Sequence, residues 1–492
     1  MERREQYKRL IMFLASAFIM AVQTALFAYV WFHHYNDRSI IQIPYFYRGN
    51  WALIGLYAVI LFLFLKVFGG FKVGYLRVLE VLFSQVISVL FTNGIAYLQL
   101  ALIGHWKFLH HIEPMLWLTC VELVVVLLWT IFMRWIYSRL YPPRNMLFIY
   151  GDHNPTDLME KISSREDKYQ ISEAVHLSVG EKKIKERIND YHAVVLGDMP
   201  SHERNLYLKY CFEKDIRCYS VPKISDIMIM SSDKIHLFDS PLLLFRNRRL
   251  TIEQQICKRA FDLVCSLVGL VIASPIMLVI AVLIKAYDKG PVFYKQDRLT
   301  TDGRVFQVYK FRSMRVDSET AGARLAMKGD DRITPVGRVL RNIHFDELPQ
   351  LFNIIKGDMS LVGPRPERPE IAAQYTKEIP EFPYRLKVKA GLTGYAQVYG
   401  KYNTTPYDKL KLDLTYIENY SFLLDIQILM TTFKILFQKE NTEGVEQWQV
   451  TAATKENPQN VKMAEVMDAK EKENVISDKE NIHSDRGGED AR

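Results

Sequence analysis

FDLVCSLVGLVIASPIMLVIAVLI, residues 261–284, is the stretch on which the fold turns. It carries no charge apart from Asp262, and as a straight helix it would cover ~36 Å, enough to cross a hydrocarbon layer of ~30 Å. Two features favour a helix that enters a membrane and returns to the same face. Ser274-Pro275 falls in the middle of the run, where proline removes a backbone hydrogen bond and kinks the helix. Basic residues also stand at both ends, Lys258 and Arg259 before it and Lys285, Lys289 and Lys295 after it. The carbonyls freed at such a break need partners, for instance the hydroxyl of Ser274. Asp262 lies one turn from Lys258 and Arg259, so an ion pair among them is expected. The other reading is a plain transmembrane helix that tolerates its proline.

Toward the N-terminus, Leu10–Phe32 is an apolar run preceded by Arg3, Arg4, Lys8 and Arg9, too long for a signal-peptide core. Trp51–Phe68, Val78–Ile103 and Met115–Met133 follow, each long enough to span. Lys66, Lys72 and Arg77 lie between the second and third runs, and Arg134, Arg139 and Arg144 follow the fourth. The remaining loops hold only Arg38, Arg48 and Lys107 beside His33, His34, His110 and His111, which read as polar loop residues rather than metal ligands. This charge asymmetry predicts a cytoplasmic N-terminus and four crossings.

From Asn145 to about Leu237 short apolar strands alternate with helices. Met146–Tyr150, Ala174–Val179, Ala193–Leu196 and Ile216–Ser220 read as strands, and Asp157–Ser164, Lys182–Asn189 and Ser201–Lys214 as helices. A small parallel α/β unit is expected. Its first strand leads into Gly151-Asp152-His153-Asn154-Pro155, where a single glycine and a proline replace the Gly-rich turn that cradles a pyrophosphate. The module is therefore assigned no nucleotide, and a structural or dimerising role is expected.

The 492 residues leave room for two or three domains, and the net charge is +8. No nucleic-acid motif accompanies that charge, so the basic residues are assigned to membrane flanks and phosphate ligands. Five cysteines without a CxxC pair provide neither a zinc site nor a disulfide framework.

The chemistry-bearing residues lie beyond the long helix. Asp346-Glu347-Leu348-Pro349-Gln350 places two acids side by side, among Arg332, Arg338, Arg341, Arg365 and Arg368. Phe345, Leu348, Leu351 and Phe352 form an apolar face at helical spacing, which leaves the acids at its edge. Neighbouring carboxylates point ~100° apart on a helix and converge only near a shared cation or at a helix start. Acids among guanidinium groups make either structural ion pairs or a site where a carboxylate and Mg²⁺ act on a diphosphate. Lys310 and Arg312 bracket Phe311 in a strand-like segment and are expected on one side of it, as candidates for phosphate contact. Gly363-Pro364-Arg365-Pro366-Glu367 fixes φ at two positions around one arginine.

Taken in order, Gly290-Pro291-Val292-Phe293-Tyr294, Lys310-Phe311-Arg312-Ser313-Met314, Asp346-Glu347, Gly363-Pro364-Arg365-Pro366-Glu367 and Gly391-Leu392-Thr393-Gly394 resemble the bacterial sugar transferases. The resemblance runs from about Lys258 to Gln438. It implies a monotopic enzyme with a re-entrant helix broken at Ser274-Pro275. Such an enzyme moves a hexose 1-phosphate, glucose or galactose, from a UDP-sugar to undecaprenyl phosphate as the first step of exopolysaccharide or capsule synthesis. An N-acetylhexosamine is the alternative sugar, and a non-catalytic membrane scaffold the alternative role. In the implied chemistry Asp346 is the nucleophile, Glu347 organises Mg²⁺ with Asp346 as a further contact, and Arg365 grips a phosphate with help from Arg368. Asp330 and Arg332 match the family's Asp-x-Arg turn. One departure is visible: Leu299-Thr300 follows Gln296-Asp297-Arg298 where the family often has a glycine, although Gly303 remains.

The expected architecture is a four-helix transmembrane region (1–144), a Rossmann-like α/β module (145–240) and a linker (241–257). A mixed, mainly α transferase domain follows (258–438), ending in amphipathic helices whose apolar residues lie against the bilayer edge. The tail (439–492), rich in Lys, Glu, Asn and Asp, is expected to be disordered. The expected location is the bacterial inner membrane, with the transferase domain on the cytoplasmic face and a homodimer as the assembly.

Overall fold

The computed structural model describes residues 7–36, 47–103, 111–151, 155–245, 249–315, 332–400 and 404–436. Its contacts divide the chain into two compact units, residues 1–222 with 423–438, and residues 223–422 with the remainder. The tail after 438, Asp330 and His110 lie outside the described residues.

The first unit opens with four helices, α1 (Lys8–Val30), α2 (Arg48–Phe68), α3 (Val78–Ile103) and α4 (Glu113–Leu140). Each is long and apolar enough to cross a membrane. Their shared core includes Phe27, Trp31, Tyr57, Leu61, Leu65 and Leu100. Within it sits a polar knot that the hydropathy reading passed over. The Tyr57 hydroxyl lies 2.8 Å from both Asn93 Oδ1 and Glu122 Oε1, and Asn93 Nδ2 donates to Glu122 Oε2 at 2.6 Å. These bonds join α2, α3 and α4, because a buried carboxyl without partners would be costly there.

The α/β part of this unit is a four-stranded parallel sheet in the order β2-β1-β3-β4. Its strands are β1 (Arg144–Tyr150), β2 (Tyr169–His176), β3 (Ala193–Leu196) and β4 (Arg217–Ser220), with α5 (Thr156–Ser163), α6 (Glu181–Ile188) and α7 (Ser201–Glu213) between them. Three expected strands and all three helices lie within a residue or two of their places. The strand expected at Ala174–Val179 is displaced: it starts at Tyr169, and Leu177–Val179 is a 3₁₀ turn. Being an edge strand, β2 alternates polar and apolar residues instead of forming a continuous buried run.

The second unit takes in residues from 223 onward. Helix α8 (Ile224–Met230) belongs to it, and Ser231 beside that helix donates to Glu418 at 2.9 Å. A hairpin follows, β5 (Asp233–Leu237) and β6 (Ser240–Leu244), and then α9 (Ile252–Asp288), an unbroken helix of 37 residues. The carbonyl of Val271, to which Pro275 has no N–H to donate, accepts instead from the Ser274 hydroxyl at 2.8 Å. Of the pairing expected among Lys258, Arg259 and Asp262, the Arg259 side is replaced by tertiary contacts. Arg259 donates to the carbonyls of Ile354 and Ile355 at 2.6 and 2.7 Å, and Asp262 accepts from the Leu361 amide at 3.0 Å. Both groups find backbone atoms that no helix-local contact would satisfy better, as capping of free helix carbonyls by guanidinium illustrates.

Around α9 the chain adds an antiparallel hairpin, β7 (Phe293–Leu299) with β8 (Val305–Phe311), then α10 (Pro335–Asn342) and α11 (Gln350–Lys356). A parallel pair, β9 (Ser360–Val362) with a strand at Gly391–Thr393, is closed by glycines. A Cβ on Gly391 would collide with the backbone of Gly363 and with its own strand, and one on Gly394 with the carbonyl of Gly363. Gly391→Ala is expected to destabilise the fold by about 1–3 kcal/mol, since backbone cannot move aside as a side chain does; a thermal melt in detergent checks it. The last described helix, Phe422–Leu436, meets protein rather than only bilayer: over residues 423–436 it belongs with the first unit, where Lys434 donates to the Glu80 carbonyl and to Ser84 Oγ.

Candidate active site

The two acids occupy a 3₁₀ turn, Phe345–Glu347, rather than the body of a helix. His344 enters it in the left-handed region, with φ 57°, and Pro349 starts α11 just after it. Phe345 and Leu348 pack on Met277, Ile280 and Ile284 of α9, together with Phe311 and Leu340. The apolar neighbours thus anchor the turn from both sides and leave the carboxylates on its other edge. Asn353, fully buried in α11, ties this piece to β8: it donates to the Gln307 carbonyl at 2.7 Å and accepts from the Tyr309 amide at 2.9 Å.

Glu347 is clasped. Its Oε1 accepts from Lys310 Nζ at 2.6 Å and from Arg365 Nη2 at 3.1 Å. Burial alone would push this carboxyl up, but the ammonium of Lys310 and the guanidinium of Arg365 hold it well below the usual carboxylate range. Asp346, only 8% exposed, accepts no hydrogen bond or ion pair from a described residue. Burial raises its carboxyl above the ordinary aspartate value, while Lys310 pulls it back and the Glu347 charge adds to the rise. The pair therefore divides into one carboxylate fixed by cations and one poised with its oxygens unclaimed.

Arg365 is delivered by a loop under tight control. The Gly363 amide donates to Thr393 O at 2.8 Å, and the Gly391 amide to Pro364 O at 2.9 Å. Arg298 Nη1 donates to Pro366 O at 2.9 Å, and Arg385 Nη2 to Arg365 O at 3.0 Å. Arg385 also forms a buried ion pair with Asp413 at 2.7 Å. Burial drives Asp413 up to about 6 despite that guanidinium. A cavity of about 300 Å³ borders the loop, lined among others by Leu299, Pro364, Arg365, Glu367, Phe382 and Arg385.

Of the residues singled out in the sequence, Asp346, Glu347, Lys310 and Arg365 come together. Arg312 stands elsewhere: β8 ends at Phe311, and the Arg312 guanidinium lies against Gly290, where any Cβ would collide with it. Arg332 accepts at its carbonyl from the Arg315 amide in a short turn next to the bridge between Met314 and Ile333. Arg368 precedes helix Pro369–Glu378 without a side-chain capping bond, and its like charge lies near enough to Arg298 to repel it. Ser274 and Pro275, expected at a break, lie inside α9, which continues through them as one helix because the Ser274 hydroxyl takes up the carbonyl that the proline leaves free. Arg385, Asp413 and Asn353 were not anticipated, and Arg298 entered only as part of the Gln296-Asp297-Arg298 segment. A lone Asn inside the apolar run Leu351-Phe352-Asn353-Ile354-Ile355 was the one available signal.

Among the described residues no cluster of three or more His, Cys, Asp or Glu forms a cation cage. Mg²⁺ does not require one, since it keeps several waters and takes one or two carboxylates. The unclaimed oxygens of Asp346 beside Glu347 fit that requirement.

A model of the bacterial sugar transferase family matches residues 253–439. The chain is 38% identical over 260 residues to an Aeromonas hydrophila UDP-N-acetylgalactosamine-undecaprenyl-phosphate N-acetylgalactosaminephosphotransferase, covering 50% of this chain and 59% of that protein. It is 33% identical over 274 residues to the Salmonella typhimurium undecaprenyl-phosphate galactose phosphotransferase, covering 52% and 56%. With a Caulobacter vibrioides UDP-glucose:undecaprenyl-phosphate glucose-1-phosphate transferase it shares 37% identity over 189 residues, 37% of this chain and 71% of the relative. The chain thus spans little more than half the length of the first two.

Proposed function

This chain belongs to the bacterial sugar transferase family, and from that premise we propose that it transfers a hexose 1-phosphate from a UDP-sugar to undecaprenyl phosphate. The observation that carries the reading is the division of labour in the carboxylate pair: Glu347 held by Lys310 and Arg365, Asp346 buried beside it with no hydrogen-bond or ion-pair partner among the described residues. In the first half-reaction an Asp346 oxygen attacks the phosphorus nearest the sugar. The bond to the bridging oxygen breaks, and its electron pair leaves with UMP. In the second, an oxygen of undecaprenyl phosphate attacks the same phosphorus, the acyl-phosphate bond breaks and the Asp346 carboxylate is restored. Splitting the reaction lets one site serve two substrates in turn. Mg²⁺ held by Asp346 and Glu347 would supply the screening of negative charge that such chemistry needs.

Arg365, half exposed, is placed to meet a donor phosphate while still holding Glu347. The neighbouring cavity, with mostly apolar walls and polar groups from Arg385 and Glu367, suits the nucleoside. Glucose and galactose remain the proposed sugars, with an N-acetylhexosamine as the alternative. Lys310→Met is expected to lower activity roughly 10- to 100-fold and to raise the Mg²⁺ concentration needed, as loss of an outer-shell partner does; a Mg²⁺ titration of UMP release checks it.

Helix α9 is proposed to be re-entrant: although it is continuous, it lacks a backbone hydrogen bond at Pro275, the position at which it would bend to return to the same face. The same folded unit touches it from Lys258, bonded to the Tyr416 hydroxyl at 3.2 Å, to Ile284 in the core beneath Phe311, a length of ~39 Å. A helix crossing the bilayer would drag that unit, with its Lys310, Glu347 and Arg365, through the hydrocarbon. Its other side exposes Val264, Val268, Val271, Ile272, Val279 and Val282 for lipid. Four crossings by α1–α4 and a catalytic unit on the cytoplasmic face of the inner membrane complete the topology. A cysteine placed after Ile284 should then be labelled only from the cytoplasmic side; labelling from the opposite side would refute the re-entrant helix.

The β5–β6 hairpin leaves Leu237, Leu242, Leu243 and Phe245 exposed, with Phe238 at its tip 95% exposed. An isolated hairpin of this kind is marginal alone, which supports a homodimer formed through it; Phe238→Asp should shift the particle toward monomer in light scattering. The assay that tests the function itself is a panel of nucleotide sugars with undecaprenyl phosphate, read as nucleoside monophosphate release and lipid product. If no nucleotide sugar is consumed, the reading fails.

A further inference from the structure

One end of the helical bundle gathers more cations than acids among the described residues, and the acids there are turned to other partners. Lys8, the first residue of α1, donates to the Tyr137 hydroxyl at 2.8 Å near the end of α4. Its ammonium lies 5.0 and 4.9 Å from the ring centres of Tyr137 and Tyr141, and 6.0 Å from that of Tyr75 in the α2–α3 loop. The turn between α5 and β2 brings Lys168 to the same place, 4.9 Å from the Tyr75 ring and 5.1 Å from that of Tyr169. Two ammonium groups thus share one tyrosine ring.

Arg217 repels Lys8, and both Lys8 and Arg165 repel Lys168. The nearby carboxylates are already engaged. Asp167 accepts two bonds from Arg165, at 2.9 and 3.1 Å, and Glu80 accepts from the Arg77 amide. No carboxylate of a described residue reaches Lys8 or Lys168. Burial above all lowers the Lys168 ammonium below its ordinary value, with Tyr219 opposing it and Lys8 and Arg165 adding to it. Aromatic faces offset part of this cost, but a half-buried concentration of like charge calls for an anion.

We propose that this cluster binds the phosphodiester headgroup of an anionic membrane phospholipid. The position argues for a lipid over a free phosphate. The tyrosines stand where the apolar helices end, the depth of headgroups and of aromatic belts. Just along α1 from Lys8, Leu10, Phe13 and Leu14 are exposed and offer a surface for acyl chains. The assignment rests on the bundle lying in a membrane and not on the transferase reaction.

The test uses the full-length protein in detergent, with native mass spectrometry and thermal melting in phosphatidylglycerol, phosphatidylcholine, undecaprenyl phosphate or inorganic phosphate. Phosphatidylglycerol is expected to bind and stabilise preferentially. Lys8→Gln and Lys168→Gln should each weaken that binding about fivefold, and the pair about thirtyfold, as expected for basic residues at a lipid surface. A Lys8→Arg/Lys168→Arg variant should retain it. If the Gln pair does not fold, Lys168→Gln alone carries the comparison. Equal retention of phosphatidylglycerol by wild type and Gln variants overturns the proposal. So does equal stabilisation by inorganic phosphate, or binding of undecaprenyl phosphate alone. Indifference to headgroup with lipid still bound refutes this site only, whereas failure to retain any lipid refutes the membrane bundle as well.

Discussion

Asp346→Asn is expected to abolish turnover, with a loss on the order of 10⁴-fold or more, as for removal of a covalent nucleophile. The substitution keeps the shape of a side chain that accepts no bond from described neighbours, so the fold should survive. It removes the anionic oxygen that forms the new bond to phosphorus. Glu347 cannot take over, because Lys310 and Arg365 hold its Oε1 and lower its basicity. The decisive measurement is mass spectrometry of wild type mixed with donor and Mg²⁺ but without lipid acceptor. A sugar-phosphate adduct should appear on Asp346 and be absent from the Asn variant. Normal turnover by Asp346→Asn would show that the nucleophile lies elsewhere.

Arg385→Met should produce the largest loss of stability, about 3–5 kcal/mol, because it strands the Asp413 carboxylate, 1% exposed, without its partner. The same change frees the Arg365 carbonyl from its tether, so activity should fall even where the protein remains folded. Adding Asp413→Leu should recover most of the stability, since apolar residues of similar volume often replace a buried ion pair at little cost. It should not recover the activity, because the tether to Arg365 stays absent. Thermal melts and UMP release on the two single variants and the double variant separate these effects. Equal melting temperatures for wild type and Arg385→Met would mean that the pair contributes nothing to the fold.

Much of this molecule is legible along the chain because the relevant physics is local. Length and hydropathy mark α1–α4 and α9, and period and run length locate the strands β1, β3 and β4. The adjacency of Asp346 and Glu347 is covalent. Glycines at 363, 391 and 394 are visible as a motif, but that they are one motif, stacked backbone on backbone, is visible only in three dimensions.

What local pattern could not settle is which partner each charge would take. Arg259 and Asp262, one turn apart, reach backbone atoms at Ile354 and Leu361 instead of one another. Lys310 and Arg312, two residues apart, part company where β8 ends. Arg385 and Asp413 meet across 28 residues of chain, and Glu122 waits for Tyr57 and Asn93 on other helices. The sequence by itself determined which segments are apolar and where reactive groups are concentrated, since both follow from composition and spacing. The tertiary structure alone decided that Glu347 is restrained while Asp346 stays available, because a carboxylate's character depends on charges and burial brought to it from distant parts of the chain.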